Sequence, residues 1–133
     1  MTLDPAAPWP PVDLPVVDQR ALETLRELAD AASPDLVTEA ARLFLGDADE
    51  RMRQLERAIE LAELESARRL SHTLKGASLV MGVCRLARAC GGLESAAAAS
   101  RADAAGVWWA RVAIEYELAT DALRTQMPRP EHG

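Results

Sequence analysis

His72, Lys75 and Gly76 are the residues in this sequence whose types and spacing could do chemistry. The chain has two histidines, His72 and His132, and a single lysine, Lys75; its other basic side chains are arginines. On a helix, residues i, i+3 and i+4 share a face. An imidazole, an ammonium and a gap without a side chain would therefore sit together. An ordinary histidine titrates near pH ~6.5, so at neutral pH one ring nitrogen keeps a free lone pair. Phosphoryl transfer spreads charge over three oxygens and asks mainly for positioning and positive charge. Lys75 would supply that charge one turn away, Arg68 a second from the turn before, and Gly76 the room.

These residues need a helix beneath them. At roughly 100° per residue, Ala67, Leu70, Leu74, Ala77 and Met81 form one apolar stripe. Glu65, Arg68, Arg69, His72, Lys75, Gly76 and Leu79 fall on the opposite side. The histidine is thus expected to face outward. Leu79 and Val83 would place apolar surface beside the polar cluster, as a docking face does, with Arg69 at its edge. This helix is expected over about Leu64 to Met81, ending at Gly82.

The other elements follow from the same periodicity. Asp18 can cap a short helix to Ala31 with Leu22, Leu25 and Leu28 inward. Ser33-Pro34 starts a long helix whose stripe is Val37, Ala41, Phe44, Ala48, Met52, Leu55, Ile59 and Ala62, with a break around Ala62 to Glu65. A helix from Val83 carries Leu86, Cys90, Leu93 and Ala97. Ser100 to Gly106 reads as a junction. A last helix from about Ala104 to Gln126 turns Trp109, Val112, Tyr116, Ala119 and Leu123 inward before Pro128 and Pro130 end it. The fold expected is all-α: an antiparallel up-down-up-down four-helix bundle with an additional short N-terminal helix across one end. Residues 1–17, with five prolines, read as an extended or disordered leader, 18–127 as the bundle and 128–133 as a tail. Gly91-Gly92, in mid-helix, is best explained by close approach of a neighbouring helix.

Composition narrows the function. Of 133 residues, 49% are hydrophobic and only five are aromatic, and the net charge is -6. An acidic chain lacks the basic patch of a nucleic-acid binder. No segment reads as a signal peptide or reaches the ~20 apolar residues of a membrane span, so a soluble cytoplasmic monomer is expected. Cys84 and Cys90 point about 240° apart on one helix and should be free thiols, Cys90 in the core. No nucleotide-binding loop or metal cluster is present, so no cofactor is expected. A haem or di-iron bundle would need inward ligands from several helices, and the one interior histidine faces out.

The run His72-Thr73-Leu74-Lys75-Gly76-Ala77-Ser78 resembles the His-x-Leu-Lys-Gly-small-small signature of histidine-containing phosphotransfer (HPt) domains. Phe44, Gly82, Leu86, Cys90 and the Leu93-Glu94 pair extend the resemblance over about Leu36 to Leu123. The chain departs from the pattern at Ala62-Glu63, where many members have Gly-Asp, and at Glu94, where many have a glutamine that orients the imidazole. The resemblance implies that His72 takes a phosphoryl group from a receiver-domain aspartate and passes it to another, with Lys75 and Gly76 assisting and Glu94 supporting the ring. It implies response-regulator receivers and a hybrid sensor histidine kinase as partners, with Mg²⁺ supplied by the receiver. The alternative is a helical adaptor that binds a receiver or kinase without being phosphorylated.

Overall fold

A computed structural model describes residues 9, 14–30 and 36–127. The expected start at Ser33-Pro34, the C-terminal prolines and His132 lie outside the described residues. Five helices follow one another: α1 (Gln19–Asp30), α2 (Leu36–Glu60), α3 (Leu64–Val80), α4 (Cys84–Ala98) and α5 (Ala102–Gln126). The last four form the bundle. Its most extensive contacts run between α3 and α4 and between α4 and α5, and α2 closes it against α3 and α5.

The centre of the core follows the periodicity, while Val37, Met52, Ile59, Leu70 and Tyr116 are only partly buried at its margin. Ala41, Phe44, Ala48 and Leu55 of α2, Ala67 and Leu74 of α3, Leu86, Cys90, Leu93 and Ala97 of α4, and Val112, Ala119 and Leu123 of α5 are all buried. Two serines join them. Ser71 and Ser78 are fully buried, and each hydroxyl donates to the carbonyl four residues back, Ala67 and Leu74 respectively, at 2.7 Å. A hydroxyl satisfied by its own helix costs little to bury.

The three joints of the bundle share one device. At the end of α2, the N–H of Glu63 donates to Ala58 O (2.8 Å) and that of Ala62 to Ile59 O. After α3, Val83 donates to Ser78 O and Gly82 to Leu79 O; after α4, Arg101 donates to Ala96 O and Ser100 to Ala97 O. Each pair caps the last turn through a residue in the left-handed region: Ala62 (φ 53°), Gly82 (φ 72°) and Ser100 (φ 56°). The next helix starts at once. Ala62 is therefore an exposed turn residue rather than the end of the α2 stripe. The junction expected over Ser100 to Gly106 shrinks, since α5 begins at Ala102.

The Asp18 carboxylate accepts the Arg20 N–H at 2.9 Å, capping α1. The Asp18 N–H donates to Gly82 O at 2.6 Å. That contact also demands glycine at 82, because a Cβ there would lie 2.8 Å from the Ala21 Cβ. Leu22 is fully buried, but Leu28 is 68% exposed. Only the first part of α1 reaches the core, so Leu28 does not belong to the apolar stripe expected for it.

In α5 the inward tryptophan is Trp108, 3% exposed, whereas Trp109 is only partly buried. The reason lies in α4. A Cβ on Gly92 would stand 2.5 Å from Trp108 Cε3, so the glycine is the slot for the indole. This is the close approach expected of the Gly91-Gly92 pair. Gly92→Ala should gain about 1 kcal/mol in helix propensity and lose more by overpacking, typically about 1–3 kcal/mol. A lowered melting temperature checks this; a raised one would mean that the ring yields freely.

Candidate functional site

The site lies where α3 passes α4. The His72 side chain is 65% exposed, Lys75 33% and Glu94 only 20%. Glu94 reaches from α4 to both: its Oε2 is 2.7 Å from His72 Nδ1 and its Oε1 2.6 Å from Lys75 Nζ. One carboxylate thus spans the histidine and the lysine.

Electrostatics fixes the roles within this triangle. Burial would push the Glu94 carboxyl up, but hydrogen bonds from Lys75 and His72, together with their charges, outweigh it and hold the group below its ordinary range. At neutral pH Glu94 is a carboxylate and can only accept hydrogen bonds. The proton between it and His72 therefore sits on Nδ1. In the neutral ring the free lone pair is then on Nε2, the nitrogen away from Glu94.

The surroundings sort the other candidates. A Cβ on Gly76 would meet nothing within 4 Å, so the space beside His72 is open. Arg68 is turned to Glu65, with Nε 3.0 Å from its Oε2; its guanidinium is engaged there rather than free beside the ring. Arg69 is exposed on the other flank, where it borders a groove of about 380 Å³ with Arg57, Ser66 and Thr73. Leu79 is 58% exposed, as a docking residue should be, and Val80 beside it is 63% exposed. Val83 is a correction. It is fully buried, because the left-handed turn at Gly82 redirects the chain and carries residue 83 under the bundle. It cannot belong to an exposed docking face.

Both thiols are free. Burial drives the Cys90 thiol far above its usual range, so it acts as a small core residue. Among the described residues no three or more His, Cys, Asp and Glu side chains gather as a metal ion would need, and no helix is long and apolar enough to cross a membrane.

A second polar cluster lies away from His72, and sequence reasoning missed it. Glu115 of α5 is 1% exposed. Its Oε2 accepts hydrogen bonds from Arg85 Nη2 at 2.7 Å and from Trp9 Nε1 at 2.9 Å. At Trp9 the leader is thus packed on the bundle, not free of it. A buried acid at a core position of α5 was the one available signal, since an isolated charge there would be costly.

Fold and site together define a helical bundle that presents one histidine, oriented from the neighbouring helix, to solvent. The model of the Hpt domain family matches residues 39–126, and the chain belongs to that family, whose role is histidine phosphotransfer in phosphorelays. Solved structures agree. Histidine-containing phosphotransfer protein B of Pseudomonas aeruginosa PAO1 superposes with a TM-score of 0.77 at 25% identity, covering 84% of this chain and 94% of that one. The histidine-containing phosphotransfer protein of Medicago truncatula gives 0.74 at 24% identity, covering 83% and 76%. The maize protein gives 0.69 at 25%, covering 84% and 86%. No curated protein matches the chain.

A prediction arises from the open space at Gly76. Gly76→Gln should melt no lower than the parent, since replacing a helical glycine gains up to about 1 kcal/mol. It should nonetheless transfer phosphate poorly, because the new side chain fills the approach to His72. Melting curves beside transfer rates check this; activity lost only together with folding would refute the steric account.

Proposed function

We propose that this chain is a phosphocarrier between receiver domains, with His72 Nε2 as the acceptor. The lone pair on Nε2 attacks the phosphorus of a receiver's aspartyl phosphate. An N–P bond forms, the O–P bond breaks, and the aspartate leaves as carboxylate. The reverse step returns the group to the same or another receiver. Glu94 holds the Nδ1 proton throughout, so the charge that develops on the ring faces a carboxylate. Lys75 stands one turn along the helix and offers positive charge to the phosphoryl oxygens. Gly76 leaves the approach clear.

The observation that carries this reading is the Glu94 bridge. It orients the ring, leaves one nitrogen for chemistry and keeps the lysine within a turn of it. The chain needs no nucleotide of its own. Mg²⁺ belongs with the acidic pocket of the receiver, since the one carboxylate beside His72 is already engaged with the ring and with Lys75. A hybrid sensor kinase would feed the relay from the cytoplasm. The test is to incubate the protein with receiver domains carrying radiolabelled aspartyl phosphate. Label should move to this chain from at least one of them and return to another. Failure with all of them would leave the adaptor reading instead.

A further inference from the structure

Two features lie outside the His72 chemistry, and the leader joins them. The first is the cluster around Glu115. Trp9 donates its indole N–H to that carboxylate and meets the Trp108 ring edge-on at 5.6 Å. The Arg111 guanidinium lies 5.3 Å from the centroids of both rings. A hydrogen bond to a buried carboxylate, an aromatic contact and a cation–π contact all fix the same side chain. The leader is pinned again at Asp18, whose N–H is bonded to Gly82 O at the α3–α4 turn.

The second feature involves Leu14, which falls between Trp9 and Asp18 in the sequence. A groove of about 340 Å³ runs between α3 and α4, bordered by Leu14, Lys75, Leu79, Ala87, Arg88 and Gly91. Leu14 is a wall of this groove, not its contents: with Leu14 at its edge the groove is open and Leu79 is 58% exposed. Its sides are mainly apolar, and its two charges, Lys75 and Arg88, are both positive on a chain of net charge -6. It is continuous with the site, because Lys75 belongs to both.

We infer that Trp9 and Leu14 are working parts of the receiver-docking surface: Trp9 is held at Glu115, Leu14 walls the groove beside Lys75, and the receiver seats there an apolar side chain flanked by carboxylates. This rests on the phosphocarrier reading above. An apolar anchor fits the groove, and carboxylates around it answer the exposed Arg88 first, since Lys75 is already paired with Glu94. The leader would add to affinity without touching the reacting atoms.

The experiment uses the full chain carrying Trp9→Ala or Leu14→Ser, and the receiver domain that gives up its phosphoryl group fastest to the wild type. Each substitution should raise the receiver concentration for half-maximal transfer about 5- to 30-fold, as loss of an interface anchor does. The saturating rate should stay within about twofold, because the groups around His72 are intact. Leu14 is partly exposed, so Leu14→Ser decides the matter even if Trp9→Ala unfolds. Unchanged half-saturation in the folded variants overturns the inference. So does tighter saturation, which would make the leader a block, or a wild-type dimer that Leu14→Ser splits, which would put a second copy in the groove. A wild type that takes label from no receiver brings down the phosphocarrier reading first, and this inference with it.

Discussion

His72→Gln should abolish phosphoryl labelling altogether and leave the bundle folded. The wild-type adduct should be labile in acid and stable in alkali, as a phosphoramidate is, and His72 should be its only site. A side chain that is 65% exposed contributes little packing, and surface substitutions of this kind usually change stability by less than about 0.5 kcal/mol. Glutamine also keeps an amide N–H that can reach Glu94, so the contact between α3 and α4 need not be lost with the ring. Melting curves and acid and alkali treatment of the labelled protein check the two halves separately. Label retained by the folded variant would mean that another residue is the acceptor.

The second large effect contrasts two leucines five residues apart on α3. Leu74 is fully buried and Leu79 is 58% exposed. Leu74→Asp would place an unpaired carboxylate in the core, at a cost of several kcal/mol. That is a large share of the ~5–15 kcal/mol by which domains are stable, so the variant should be largely unfolded. Leu79→Asp should melt like the parent while binding the receiver more weakly, because it replaces an exposed apolar wall of the groove with a hydrated charge. Melting both variants and measuring receiver affinity for each that folds is the check. An unfolded Leu79→Asp beside a tolerated Leu74→Asp would reverse the assignment of the two faces.

The face of α3 was legible in the sequence because one helix obeys one period. Ala67, Leu74 and Met81 fall on the buried side and His72, Lys75, Gly76 and Leu79 on the open one, by counting alone. Counting failed where the helix stopped. Val83 lies past Gly82, where a positive φ turns the chain, so nearness to His72 in sequence does not put it on the same face. Ser71 and Ser78 escaped notice because a buried hydroxyl that bonds its own helix looks polar in the sequence and behaves as filler in the core. The joints at Ala62 and Ser100 carry no glycine, although both residues adopt the conformation that glycine takes most easily, so nothing local marked them strongly. Glu115 falls three residues after Val112 on the core side of α5, but its partner Trp9 is 106 positions away, beyond the reach of any local pattern.

The Glu94 bridge has a consequence for the duration of an encounter. An exposed imidazole and a long ammonium chain would each ordinarily sample several rotamers. Immobilising such side chains on association costs about 0.5–1.5 kcal/mol apiece. Here one carboxylate on the adjacent helix has already stopped the search for both, at 2.7 and 2.6 Å. If His72 is the acceptor as proposed, a receiver arrives at a nitrogen that is already aimed. On that reading, less of each encounter is spent waiting for the correct orientation, and a larger fraction of collisions can end in transfer.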